Sequence, residues 1–245
     1  MSSSAASPHA IAGPGAANLR HPLARALLAL TFTTGIVDAV SYLGLGHVFT
    51  ANMTGNVVLL GFALAGGTGL PVLAPIVSLA AFLTGAFLGG RLQGRFGDVR
   101  PRHLTAALAC ETVLLAAALV YALCVSPHPG TIAGGILIAG LAGAMGIRNA
   151  AVRSLGVPDL TTTVLTLTLT RLAADAGTPG ALRSSPRRGA AVVSMLTGAL
   201  AGALLLKTGV WLSLSVALAA VVATIVGYAQ ATQKDRQPVP GTPPD

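Results

Sequence analysis

Long apolar stretches separated by short polar breaks run along most of this chain. Several of the stretches reach about 20 residues, which is the length that crosses a bilayer core as an α-helix. The apolar segments are Leu23–Leu45, Val57–Ala65, Pro71–Gly90, Leu104–Val125, Ile132–Ile147, Ala190–Leu206 and Val210–Ala229. The pattern predicts an all-α, polytopic helical membrane protein.

The same pattern occurs twice along the chain. The string GIVDA at Gly35–Ala39 is followed 111 positions later by GIRNA at Gly146–Ala150. Each copy continues with a polar patch, which is Thr50–Asn56 in the first copy and Thr161–Thr166 in the second. An LTGA string and a further glycine follow, over Leu83–Gly89 in the first copy and Leu196–Gly202 in the second. We therefore predict two repeats, 23–125 and 131–229, within a single transmembrane domain, 23–229.

Composition agrees with a membrane location. Apolar residues make up 53% of the chain and charged residues 9%, whereas soluble domains carry about 25% charged residues. The ends differ from the rest, because residues 1–22 and 230–245 are rich in small and polar residues. Such sequences cannot bury enough apolar surface to fold, so we predict disordered cytoplasmic tails there.

Positive charge is concentrated at segment ends, and it predicts the topology. The clusters are Arg20/Arg25, the loop around Arg91–Arg102, the loop around Arg171–Arg188, and Lys234/Arg236. Cytoplasmic loops carry the Arg/Lys excess, so these four clusters and both termini should lie inside the cell. The net charge is +8, but the sequence shows no compact basic face with interleaved aromatic residues, so we expect no nucleic-acid partner.

These positions limit the number of crossings. Three apolar candidates lie between Arg25 and Arg91. Both arginines are predicted inside, so an even number of segments crosses and one candidate does not. We predict that the candidate with the polar Asn52–Asn56 stretch is the one that does not cross. Two candidates lie between Ser126, outside, and the inside Arg171–Arg188 loop, and there the Thr161–Thr170 stretch is the extra one. The chain then has six effective crossings in two inverted three-crossing repeats, each with an interrupted or re-entrant segment. Eight full crossings, which would place Arg91–Arg102 outside, rank second.

The first polar break supplies four candidate site residues: Asp38, Asn52, Thr54 and Asn56. Asp38 lies about 13 residues past Arg25, within the hydrocarbon region, where an ionisable residue suggests function. It would carry a proton or cation. A buried salt bridge to Arg148 or Arg153 has similar weight as an explanation.

The second copy supplies Arg148, Asn149, Thr162, Thr163 and Thr166. Asn149 replaces the aspartate with a neutral hydrogen-bonding group, so only the first copy could hold a proton there. Arg148 could bind an anionic substrate in forked geometry, and cytoplasmic-end anchoring is the alternative. The threonines could line a pathway or bond neighbouring helices.

Other chemistry has little support in the residues. Glu111 is either a proton carrier or the partner of a buried arginine. Cys110 and Cys124 would lie about 21 Å apart on one helix and cannot bridge each other. The histidines lack ligand spacing, and no nucleophile–base pair or phosphate loop appears. We therefore expect no metal, no cofactor and no enzymatic activity.

The motifs around the first break carry a family resemblance. TGIVDA at Thr34–Ala39, followed by FTANMTGN at Phe49–Asn56, resembles the YoaK-type family of bacterial integral membrane proteins, a domain of unknown function. The second-copy string Gly146–Ala150 is also similar to that family. The resemblance covers roughly Leu23–Tyr228 and implies a bacterial inner-membrane protein, without an activity or a substrate.

The leading hypothesis is a small secondary transporter or permease whose midplane site combines both breaks. Its partners would be the lipid bilayer and an unidentified small molecule or ion, and a homo-oligomer stays open. The alternative is a non-transporting scaffold or assembly protein, in which the polar breaks serve packing; a membrane-embedded enzyme ranks third.

Overall fold

The structure is a computed structural model that describes residues 19, 21–67, 69–96, 100–155, 165–174 and 181–234. All regular structure in these residues is helical. The helices are α1 Pro22–Ala39, α2 Met53–Leu64, α3 Leu73–Phe96, α4 Arg100–Val125, α5 Ile132–Ser154, α6 Leu165–Ala174, α7 Ala181–Leu206 and α8 Val210–Lys234. A π-turn, Val40–Gly44, extends α1. The all-α prediction is confirmed, whereas the predicted tails lie largely outside the described residues.

Six helices of the described chain are long and apolar enough to cross a membrane, namely α1 with its π-turn, α3, α4, α5, α7 and α8. Helices α2 and α6 are shorter, with 12 and 10 residues. Twelve residues extend about 18 Å, well under the bilayer core of about 30 Å. The chain is thus a multi-pass membrane protein with six helices of spanning length, and α2 does not fit the alternative of eight full crossings.

Helices α1 and α5 form the centre of the molecule. Their spanning windows are 72% and 56% buried, against 17–28% for the other four spanning helices. Helix α1 packs against α7 and α8, α5 packs against α3 and α4, and α4 contacts α8. The short α2 packs on α3, and the short α6 packs on α7. Large apolar side chains on the outer helices face outward, as lipid contact requires.

Glycines allow α1 and α7 to approach backbone to backbone. A Cβ on Gly35 would lie 2.5 Å from the carbonyl oxygen of Met195 and 2.6 Å from the amide nitrogen of Ala199. A Cβ on Gly198 would overlap the carbonyl of Phe32. Side chains any larger would separate the two helices, so the small residues fix this crossing.

Helices α3 and α5 cross through the same kind of contact. A Cβ on Gly146 would overlap the carbonyl oxygen of Phe82 and lie 2.8 Å from the amide nitrogen of Ala86. A Cβ on Gly85 would overlap the carbonyl of Gly143. The GIVDA-type helix of each copy therefore crosses the LTGA-type helix of the other copy, at matching positions.

The first apolar segment is interrupted after α1. The backbone forms the π-turn Val40–Gly44 and then runs without helix through residues 45–52, which we call the interrupted segment. Helix α2 begins at Met53. Gly46 and His47 both have positive φ, 113° and 57°, which reverses the chain at this point. The sequence placed the break at Asn52–Asn56; the structure places it several residues earlier, because Asn56 already belongs to α2.

Candidate functional site

Asp38 lies near the end of α1 and holds the interrupted segment by its backbone. Its Oδ1 accepts hydrogen bonds from the amides of Thr50, at 3.0 Å, and Ala51, at 2.8 Å, and a longer one from the Thr50 hydroxyl at 3.5 Å. The side chain is buried, and its Oδ2 has no hydrogen-bond partner. One oxygen of the carboxylate is thus well satisfied, and the other is unsatisfied at membrane depth.

Asn56 fixes the same segment from the opposite side. Its Oδ1 accepts from the Phe49 amide at 2.8 Å, while its Nδ2 donates to the Phe49 carbonyl at 2.7 Å. Nδ2 also donates to Ser78 Oγ at 3.1 Å, and Ser78 Oγ donates to the Phe49 carbonyl at 2.6 Å. Asn56 and Ser78 are fully buried. The paired contacts replace hydrogen bonds that a continuous helix would supply.

Aromatic rings cover the outer side of the break. Tyr42 of the π-turn stacks on Phe49 with centroids 4.8 Å apart and meets His47 edge-on at 5.1 Å. Phe49 also lies close against Gly55, where a Cβ would be 2.8 Å from the ring. The π-turn, the interrupted segment and α2 are therefore packed as one unit.

Arg148 and Glu111 form a fully buried ion pair between α5 and α4. The guanidinium binds both carboxylate oxygens, with Nε donating to Oε2 at 2.9 Å and Nη2 donating to Oε1. Nη1 donates to the Leu30 carbonyl and to Thr34 Oγ1 of α1, both at 2.7 Å. Charge-assisted, forked bonds of this kind join the two central helices to α4.

This geometry answers two questions that the sequence left open. Glu111 is the partner of a buried arginine, and that arginine is Arg148. No cation among the described residues pairs with Asp38, and Arg153 is exposed at the end of α5. The salt-bridge explanation of Asp38 is therefore wrong in the described structure, and the forked guanidinium of Arg148 is already taken up by Glu111, Leu30 and Thr34.

The predicted site residues separate into a buried and an exposed group. Asp38, Asn56 and Arg148 are buried, and Arg148 reaches Thr34, one turn before Asp38 on α1. Asn52 and Thr54 are exposed, and Thr54 Oγ1 donates to Asn52 Oδ1 at 2.9 Å.

The second-copy residues are only partly described. Asn149 is half-buried on α5, where its Nδ2 donates to the Met145 carbonyl at 2.9 Å. Thr166 is exposed on α6, and its carbonyl accepts from Thr170. Thr162 and Thr163 lie outside the described residues.

Two residues of the site have signals that the sequence interpretation did not use. Ser78 is a polar residue within the apolar start of α3, and its contact with Phe49 and Asn56 gives it a place in the site. Thr50 precedes the asparagine-rich string and binds Asp38 through both its amide and its hydroxyl. A hydroxyl next to apolar residues at membrane depth is the signal for both, since such groups seek hydrogen bonds.

The groups at this site are ones that could bind a ligand. The site offers a carboxylate oxygen of Asp38, the hydroxyls of Thr50 and Ser41, and oriented backbone groups. The described residues contain no group of three or more His, Cys, Asp or Glu side chains that could hold a metal ion. Oxygen-rich groups of this kind hold hard cations or protons more readily than soft metals.

Comparison with known proteins places the chain among proteins without an assigned function. A family model described as a protein of unknown function (DUF1275) matches residues 26–229. The UPF0700 transmembrane protein YoaK of Bacillus subtilis (strain 168) is 40% identical over 147 residues, which are 60% of this chain and 64% of that protein. The chain thus matches less than two thirds of that relative's length. No solved structure matches significantly.

Proposed function

We propose that this chain, which belongs to the DUF1275 family of proteins of unknown function, is a small secondary transporter or permease of the bacterial inner membrane. Both termini would lie in the cytoplasm, where the Arg/Lys clusters belong. The substrate would bind where the interrupted segment meets the central helices α1 and α5. The proposal assigns no enzymatic activity to the chain.

One observation carries the proposal. Asp38 is buried inside a spanning helix, its Oδ1 is fixed by the amides of Thr50 and Ala51, and its Oδ2 has no hydrogen-bond partner. A buried carboxylate at such depth is costly and is retained where it serves an ion or substrate pathway. The non-helical backbone beside it is of the kind that lines binding sites in transporters.

The helix crossings support two inverted repeats. Gly35 meets Met195 and Ala199, and its counterpart Gly146 meets Phe82 and Ala86. The contacted residues differ by 113 positions in both cases, 82 to 195 and 86 to 199, which is the separation of the LTGA strings. With three spanning helices in each repeat, the second repeat enters the membrane from the opposite side, as inverted repeats do.

A scaffold is the second candidate function, and one observation favours it. Most polar groups around the break satisfy one another, since Asn56, Ser78 and Phe49 form a closed set of hydrogen bonds. Such mutual hydrogen bonding would also be required if the break served only to pack the helices. The unsatisfied Oδ2 of Asp38 is the feature that the scaffold leaves unexplained.

A thermal-shift screen in detergent tests the proposal. Purified full-length protein and the Asp38→Asn variant are heated with a panel of metabolites, and compounds that stabilise the wild type are then tested for uptake into proteoliposomes. Transport predicts a ligand that stabilises the wild type, enters the vesicles and loses both effects in the variant. A variant that is only less stable, together with no stabilising compound for the wild type, would favour the scaffold.

A further inference from the structure

Asp38 differs from the other ionisable side chains in the spanning helices. Away from the helix ends, the described spanning segments contain three residues of the Asp, Glu, Lys and Arg types, namely Asp38, Glu111 and Arg148. Glu111 and Arg148 neutralise each other in a buried pair. No described cation forms a salt bridge with Asp38, so the three groups together carry one net negative charge when this carboxyl is ionised. Such a charge inside a membrane calls for a counter-ion or a proton.

Two buried hydroxyls lie beside this carboxylate. Thr50 Oγ1 is 3.5 Å from Asp38 Oδ1 and also 3.5 Å from Ser41 Oγ. Both hydroxyl residues are fully buried. The separations are long for O–H···O hydrogen bonds, whose usual distance is about 2.7–2.8 Å. These long hydrogen bonds also match the edge of a cation's coordination shell, because two oxygens at right angles and about 2.5 Å from a hard cation are about 3.5 Å apart.

We infer that Asp38, Ser41 and Thr50 form a binding site for one sodium ion, with the Asp38 carboxylate, one of whose oxygens has no hydrogen-bond partner, as the charged ligand. The inference rests on the proposed function for the role of the ion, which would be the coupling ion of transport. Binding itself depends only on the side chains named here and on the backbone that holds them.

The charge of the site selects a monovalent cation. One carboxylate and two neutral hydroxyls carry a single negative charge, so a sodium ion leaves the site neutral and a divalent ion would leave a buried positive charge. The oxygen spacing selects size, since sodium is close to calcium in radius and potassium is larger.

The backbone around the site is suited to such a role. Ser41 lies in the π-turn, and Thr50 lies in the non-helical segment, so both hydroxyls are placed by irregular backbone that follows α1. The asparagine–serine contacts around Phe49 hold the segment that carries Thr50 in place.

Equilibrium binding of radioactive sodium to the purified full chain tests the inference directly. We expect saturable binding of one sodium ion per chain, with potassium as a weak competitor. The Tm should be higher in sodium chloride than in choline chloride of equal ionic strength. Asp38→Asn should abolish binding. Ser41→Ala and Thr50→Val should each weaken sodium binding at least tenfold. Thr50→Ser keeps the hydroxyl and should retain sodium binding.

Thr31→Val is the matched control. Thr31 is a buried threonine of the same helix whose hydroxyl donates to the Leu27 carbonyl, so this variant should bind sodium as the wild type does. It also reports how much stability the loss of one buried hydroxyl costs without the site.

The outcomes separate this inference from the proposed function. No sodium binding by the wild type, or unchanged binding in Asp38→Asn, overturns the sodium site. A Tm that depends on pH and not on sodium also overturns it and makes Asp38 a proton carrier. Uptake of a substrate without sodium binding leaves transport standing and the site refuted. Sodium binding without uptake of any compound supports the site and refutes transport.

Discussion

Asp38, Glu111 and Arg148 lie inside the spanning helices, and their surroundings give them different roles. Arg148 and Glu111 satisfy each other, and the arginine adds the Leu30 carbonyl and Thr34 of α1. Asp38 instead uses one carboxylate oxygen to hold Thr50 and Ala51 and leaves the other unpartnered. The ion pair joins three helices, and Asp38 joins α1 to the interrupted segment.

Breaking the buried ion pair should destabilise the protein strongly. In Arg148→Leu, Glu111 loses its cation and becomes an unpaired buried charge, which costs about 3–5 kcal/mol. The double variant Arg148→Leu/Glu111→Leu removes both charges and should recover most of that loss. Thermal unfolding in detergent measures both effects.

Arg153→Leu is the control for this pair, because Arg153 lies on the same helix and is exposed. It should change the Tm little. If the single Arg148→Leu variant were as stable as Arg153→Leu, the ion pair would contribute nothing to the fold.

Asn56 should be essential for the shape of the interrupted segment. Asn56→Leu removes the acceptor of the Phe49 amide and one of the two donors to the Phe49 carbonyl, which keeps Ser78; an unsatisfied buried group costs about 1–3 kcal/mol. We expect a lower Tm and faster proteolysis within residues 45–52. Asn52→Leu changes an exposed asparagine nearby and should leave both measurements near wild type. Equal effects of the two substitutions would contradict the assigned role of Asn56.

Helix crossings in this protein depend on glycine more than on large apolar side chains. Gly35 and Gly198 bring α1 against α7, and Gly146 and Gly85 bring α5 against α3, with backbone atoms in contact. In lipid there is no hydrophobic gain from burying a leucine between helices, so close packing of small residues stabilises the contact. This explains why the LTGA strings recur in both copies.

Alanine substitution at the crossing glycines should therefore be harmful in both copies. Gly35→Ala and Gly146→Ala place a Cβ against backbone of the partner helix and should cost about 1–3 kcal/mol each. Gly140→Ala meets open space on α5 and should be neutral or stabilising by up to about 1 kcal/mol, since alanine favours helix. Thermal unfolding of the three variants compares them. Unequal effects at Gly35 and Gly146 would argue against matched crossings.

In the described part of the molecule, four spanning helices and two short ones surround the two central helices, α1 and α5. The short helix α2 buries only Asn56 and exposes apolar side chains such as Val57 and Phe62. It therefore lies against α3 with an apolar surface of its own, too short to cross the membrane. Both ends of α2 should consequently be on the same side of the membrane.

Labelling with a membrane-impermeant maleimide tests this topology. In a chain with Cys110 and Cys124 replaced by alanine, Val72→Cys and His128→Cys should react from outside intact cells, whereas Gln233→Cys should react only after lysis. Eight full crossings would place Val72 inside, so absence of external labelling there would refute the arrangement with six crossings.

The sequence by itself determined the class of the protein and much of its plan. Segments of about 20 apolar residues with few charges can form only helices in a membrane, so the all-α multi-pass fold and the spanning helices followed from length and composition alone. The resemblance to the YoaK-type family, drawn from the strings around Asp38 and Asn56, is confirmed by the matches. The repeats, the orientation and transport stay predictions.

Only the tertiary structure decided which polar groups meet. Periodicity places a residue on a face of its own helix, but it does not say which helix packs there. Arg148 had Asp38 as a candidate partner in the sequence and found Glu111, 37 positions away on α4. Ser78 acquired a role because α2 and the interrupted segment fold onto α3. The unequal surroundings of the two Asp38 oxygens likewise arise only in the tertiary structure, where backbone amides 12 and 13 positions later bind one oxygen and the other has no partner.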